Sequence, residues 1–169
     1  ADHWKEVPIL GDTIPLNARI EQIDGLSAHA DGKELLQYTA PLRTPANGRP
    51  AQDGFELQVL DSDGYNAAHP KAPLLDYQYH GSLYFLVGAK HGYLRPVGVW
   101  NYEEIEVRGN HITVTLNGTR ILDVDLDKID RSKLDPKHRP GGLDRTGGFL
   151  GFAGHNDPVG FRSFKVKRL

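Results

Sequence analysis

Apolar and polar residues alternate with a period of two over much of this chain. In GFELQVLDSDG, Phe55, Leu57 and Val59 share one parity and Glu56 and Gln58 the other, the pattern of a strand with an oily face and a polar one. In HITVTLNGTRILDVDL, Ile112, Val114 and Leu116 alternate with Thr113 and Thr115, and Leu122, Val124 and Leu126 return beyond Asn117-Gly118. That dipeptide is the signature of a type I′ turn, so a β-hairpin is predicted. Further strands are expected at 14–23, 82–88 and 99–107, with Gly109-Asn110 turning the chain into the hairpin. Two closing strands, in GGFLGFAG and VGFRSFKVKRL, flank the turn HNDP.

Between these runs the pattern breaks. DGKELLQY predicts a short helix, because Asp31 followed by Glu34 forms an N-cap and capping box and Pro41 stops it. PLRTPANGRPAQD, with its prolines and Asn-Gly step, reads as loop and as a place where two units join. Residues 61–80 form a long polar excursion, the kind of loop that often carries function in a compact β domain. Residues 127–146 read as a charged surface loop with one helical turn. About eight strands and one helix point to an all-β sandwich.

Composition narrows the reading. At 169 residues the chain suits one domain with a single core. A formal charge of -2 and the lack of a basic patch argue against nucleic acid as a partner. Zero Cys removes disulfides and thiolate metal sites and is compatible with either redox compartment. No apolar run is long enough to span a bilayer, so no membrane partner is expected. The start, ADHWKEV, lacks signal-peptide regions, and the absence of Met even at position 1 points to a trimmed or processed chain.

From about Leu42 to Leu169 the motifs GFELQVLDSDG, YHGSLYFLVGAKHGYLRPVGVWN, LNGT, GFLGFAGHNDPV and FRSFKVKRL occur in order, and together they resemble the 3-keto-disaccharide hydrolase domain family. The resemblance implies a concanavalin A-like jelly-roll sandwich with a concave carbohydrate site, and cleavage of glycosides oxidised to a ketone at C3. Members of that family are commonly exported, which implies a periplasmic or secreted location. Residues from about Glu6 to Leu36 resemble instead the segment carrying the SAHAD motif in metallo-β-lactamase-type RNA-processing nucleases, where the histidine matching His29 is a zinc ligand. The HxHxDH cluster is absent here, and one histidine does not make a catalytic zinc site that needs three protein ligands. The two resemblances together imply a chimera: residues 1–40 as a strand and helix of foreign origin, packed onto a truncated sandwich at 41–169. A truncated sandwich exposes apolar surface and strand edges, so a homodimer or strand-exchanged oligomer is expected.

The chemistry that this resemblance implies fixes what to look for. A ketone at C3 acidifies the C2 proton, so a base can remove it and the C1 glycosidic oxygen can leave. Glu56, His80, Tyr84 and His155 are the catalytic candidates, each with an ordinary surface or core role as its alternative. Gln58, Lys90, Arg95, Trp100 and Asn101 are candidates for substrate binding. A divalent cation held by His80, His155, Glu56 and Asp157 would polarise the ketone; the sequence leaves the metal open, because histidines this far apart are a weak signal. Asp61 and Asp63 resemble an acidic calcium turn but are too few to make one. Arg162 reads as a structural ion-pair partner. The other function in play is a non-catalytic carbohydrate-binding or structural module built on the same face.

Overall fold

The computed structural model describes residues 5–6, 14–15, 18–28, 37–45, 48–151, 153–154, 159–161 and 165–168. Short strands β1 (Lys5–Glu6) and β2 (Ile14–Pro15) precede the long β3 (Ala18–Ala28) and β4 (Gln37–Leu42). A single helical turn, α1 (Pro50–Asp53), leads into β5 (Phe55–Leu60) and then α2 (Ser62–Ala68). The meander β6 (Asn101–Arg108), β7 (His111–Leu116) and β8 (Thr119–Asp125) follows. The chain closes with β9 (Phe149–Leu150), β10 (Ala153–Gly154), β11 (Val159–Gly160) and β12 (Lys165–Arg168).

A seven-stranded antiparallel sheet runs in the order β1-β12-β3-β6-β7-β8, with β11 also pairing with β3. A smaller sheet runs β10-β4-β5, and β2 pairs with β9. The two main sheets face each other as a jelly-roll β-sandwich. Phe55, Leu57 and Val59 on β5 meet Ile105, Ile112, Val114, Leu116, Leu122 and Val124 of the large sheet, all buried. Each such side chain contributes roughly 1.5–3 kcal/mol on leaving water, so this interlayer core carries the fold. Among the described residues no helix is long and apolar enough to cross a membrane.

The period-two reading holds where each parity has its own environment. In β6 the inward residues Asn101, Glu103 and Ile105 are buried while the residues between them are partly exposed. The hairpin turn is as expected, with Asn117 at φ 51° and Gly118 at φ 86°, both in the left-handed region that a type I′ turn demands. One irregularity matters: Val114 lies opposite Leu122 but Thr115 opposite Arg120, so Ile121 is an extra, bulged residue. The bulge turns both Ile121 and Leu122 inward. It also frees the Ile121 carbonyl, which accepts a hydrogen bond from Lys90 N at 2.9 Å.

Four expectations give way. The helix expected to end at Pro41 is, over its described part, strand: Gln37–Leu42 pairs with β5 residue by residue, from Gln37 opposite Leu60 to Leu42 opposite Phe55. A full ladder to β5 and a second to β10 outweigh a capping-box signal, and residues 31–36 lie outside the described set. The strand expected at 14–23 is instead β2 and, after a break, β3, which runs on to Ala28. The excursion at 61–80 contains α2, whose first turn is capped by the Asp61 side chain accepting from Gly64 N at 3.1 Å. That cap accounts for the acidic turn without calcium. Residues 82–88 form no strand: Leu83 pairs with Val87 across a tight turn in which Phe85 adopts φ 59°.

Gly81 sits at φ 77°, and a Cβ there would lie 2.3 Å from Ile121 Cδ1. Gly81→Ala is therefore expected to lower the unfolding free energy by roughly 1–3 kcal/mol in urea denaturation. Adding Ile121→Val, which removes the opposing methyl, recovers the steric part of the loss and leaves the backbone part.

Candidate functional site

The small sheet gains a further edge from residues 81–84. Gly81 N donates to Gln58 O at 2.7 Å, Gln58 N to Ser82 O at 2.9 Å, and Tyr84 N to Glu56 O at 2.8 Å. With Leu57 opposite Leu83 in the core, Glu56 comes opposite Tyr84 and Gln58 opposite Ser82 on the outer face. The far end of that face is closed: Gln58, expected in the open beside Glu56, is 1% exposed and Ser82 is 0% exposed. The near end, with Glu56 and Tyr84, stays half-buried.

Burial is the largest cause pushing the Tyr84 hydroxyl above the usual tyrosine range; a hydrogen bond with Gln78 opposes it and the charge of Glu56 reinforces it. Tyr84 thus stands as a proton-bearing hydroxyl within the field of the Glu56 carboxylate. Gln78 belongs to a 3₁₀ turn, Asp76–Gln78, which the sequence did not suggest.

His80 is placed differently from its expected catalytic role. It is 4% exposed, and its Nδ1 accepts a hydrogen bond from Leu60 N at 3.2 Å. The ring proton therefore sits on Nε2, which faces Glu103 Oε2 at 2.6 Å. The approach is not that of an aligned hydrogen bond, and neither Glu103 oxygen has a hydrogen-bond partner among the described residues. In this arrangement His80 offers no nitrogen lone pair to a substrate; it fastens its loop across the sandwich to β6. Glu103, 0% exposed, escaped the sequence reading although its parity with Ile105 placed it inward.

Lys90 is exposed and lines an open groove of about 400 Å³ with Asp76, Gly88, Ala89 and His91. Beneath it, a water-sized cavity of about 20 Å³ reaches His80 and Tyr93. Tyr79 and His91 stack at 3.5 Å along the same wall. Arg95, Trp100 and Asn101 organise the loop that enters β6. Arg95 Nη1 donates to Trp100 O at 2.8 Å, while Asn101 Oδ1 accepts from Arg95 N at 2.8 Å and from Asn117 Nδ2 at 2.9 Å. Asn101 is 7% exposed, so its amide holds the loop and the hairpin turn together.

His155, Asp157 and Arg162 lie outside the described residues, as does His29. In the sequence His155 directly follows Gly154, the last residue of β10. Among the described residues no three His, Cys, Asp or Glu gather as a metal-ligand set.

The comparisons agree with this architecture. The sequence matches the 3-keto-alpha-glucoside-1,2-lyase-like domain family over residues 26–167, a span that begins inside β3 and takes in Glu56, Tyr84 and Lys90. A crystal structure of a candidate glycosyl hydrolase from Parabacteroides distasonis ATCC 8503 superposes with a TM-score of 0.68 at 18% identity, covering 98% of this chain and 90% of that one. A second from the same organism gives 0.71 at 21% identity, covering 92% and 72%. At such identities the likeness is one of fold. Transcription termination factor FttA of Methanocaldococcus jannaschii is 36% identical over 63 residues, 34% of this chain, and the chain spans 10% of that protein's length.

Two outcomes follow from the geometry. Glu103→Ala leaves the buried Nε2–H of His80 without the carboxylate that it faces and should cost about 1–3 kcal/mol in urea denaturation, with Glu103→Gln, which keeps an acceptor, costing less. Because the folded pKa of Tyr84 is raised, the stability it contributes is full below about pH 10 and is lost as pH rises beyond. Alkaline difference absorbance of Tyr84→Phe against the parent should show the missing chromophore among the late-ionising tyrosines.

Proposed function

The chain belongs to the 3-keto-alpha-glucoside-1,2-lyase-like domain family, and on that premise we propose that it cleaves the C1–O bond of glycosides already oxidised to a ketone at C3. The ketone makes the C2 proton acidic. A base removes that proton and the electron pair is held as an enolate across C2, C3 and the ketone oxygen. As the enolate collapses, a double bond forms between C1 and C2, the C1–O bond breaks, and the departing oxygen takes a proton from an acid. The products are a 1,2-unsaturated 3-keto sugar and a free alcohol; later addition of water to the double bond would complete a net hydrolysis.

The observation that carries this reading is the pairing of Glu56 with Tyr84 at the half-open end of the outer face. Glu56 is assigned as the base at C2. Tyr84, its proton retained by burial and by the neighbouring negative charge, is assigned as the acid for the leaving oxygen. Lys90, on the groove formed by the same 76–91 segment, supplies positive charge for the enolate oxygen. His155, beyond β10, is retained as a second candidate acid or base. A saccharide is the partner this reading requires.

With methyl 3-keto-α-glucoside as substrate, Glu56→Gln should lower kcat by about 10²-fold or more and Tyr84→Phe by a smaller factor, followed by absorbance of the conjugated product. Turnover unchanged in both variants removes this assignment. Sugar-dependent change in Trp100 fluorescence without product marks a binding module in place of an enzyme.

A further inference from the structure

Phe85 occupies a backbone region, φ 59°, that bulky residues rarely adopt, and such strain concentrates where function requires it. The turn holding it is closed by Leu83 N to Val87 O at 2.9 Å and Val87 N to Leu83 O at 3.0 Å. Glycine or asparagine would form that turn without strain, so what Phe85 adds is its ring. The ring is half-buried, 4.1 Å from the Tyr84 ring and 5.3 Å from that of Tyr77 between centroids. His138 stacks on it at 4.3 Å and 25°. His138 is exposed and is steadied by Asp135 Oδ2, 2.6 Å from its Nδ1, three residues back in the same loop. A spacing of 4.3 Å leaves no room for another ring between them.

We infer that Phe85 is a stacking platform for a pyranose ring on the leaving-group side of the glycoside, and that His138 covers the platform until that sugar displaces it. The inference rests on the reading of the chain as acting on glycosides. If Tyr84 protonates the departing oxygen, the group attached to that oxygen extends past Tyr84, and Phe85 is the next side chain it meets. A flat apolar ring bordered by the phenols of Tyr84 and Tyr77 suits the apolar face of a sugar whose hydroxyls point to the rim. Phe85 and His138 then set how firmly the sugar on that side is held.

The test is equilibrium binding of two unreactive glycosides, trehalose, whose aglycone is a pyranose, and methyl α-glucoside, whose aglycone is a methyl group. The parent should bind trehalose about tenfold more tightly, one stacked ring being enough for that factor. Phe85→Asn suits the left-handed backbone, so it should keep or raise Tm while abolishing the preference for trehalose. His138→Ala, which uncovers the ring, should tighten trehalose binding and leave methyl α-glucoside unchanged. No preference in the parent, no binding of either glycoside, weakened trehalose binding in His138→Ala, or a preference that survives Phe85→Asn overturns the platform. A preference that Phe85→Asn abolishes, in a parent that turns over no 3-keto-glycoside, keeps the platform and removes the lyase reading.

Discussion

Three backbone hydrogen bonds between β5 and residues 81–84 determine which polar groups stand on the outer face of the small sheet. They pin an otherwise irregular segment to the edge of the small sheet and fix its register, with Leu83 turned into the core opposite Leu57. Because side chains alternate along extended backbone, that register also settles which groups emerge outside. Tyr84 is set opposite Glu56, and Ser82 opposite Gln58. A shift of one residue would bury the tyrosine and expose the leucine, at a cost the core does not permit.

The same segment is anchored across the sandwich by a polar contact. His80 receives the Leu60 N–H on one side and faces Glu103 on the other, so β5, its neighbouring loop and β6 meet at one buried imidazole. Buried polar contacts of this kind add little net stability compared with hydrophobic packing, but they penalise every arrangement that separates the partners. Arg43 acts in a similar way at the other end of the core: it is 2% exposed, donates to the carbonyls of Gly109, Gly142 and Arg145, and lies over the Phe55 ring. Burial, its main influence, holds the guanidinium below its usual pKa, with Asp127 opposing. These two groups hold the loops at fixed positions relative to the sheets.

The N-terminal part of the chain contributes a central strand to the large sheet. β3 lies between β12 and β6 in the large sheet, paired on both sides, so its backbone groups complete two ladders. Ladder hydrogen bonds are blind to sequence, so this central place in the sheet tolerates varied side chains. The fold shared with the Parabacteroides proteins at 18% and 21% identity shows the same tolerance over most of this chain. Activity depends on far fewer positions, which is why Glu56 and Tyr84 weigh more in the functional reading than the fold does.

Local pattern determined the strands whose two faces meet different surroundings, the type I′ hairpin at Asn117-Gly118, and the parity that sets Glu56 apart from the core. The all-β class followed from these, since period-two alternation and turn residues act within a few positions of the chain. Tertiary structure decided the rest. Residues 37–42 became strand because two partners distant in sequence offered a ladder, and 82–88 became a turn because 81–84 had to reach the edge of β5. Gln58, expected to meet ligand, was buried, Asn101 was drawn into the protein's own hydrogen bonds, and His80 found Glu103 on the opposite sheet. None of these outcomes lay in a local window, because each depends on groups many residues apart whose meeting is fixed only when the two layers close on a common core.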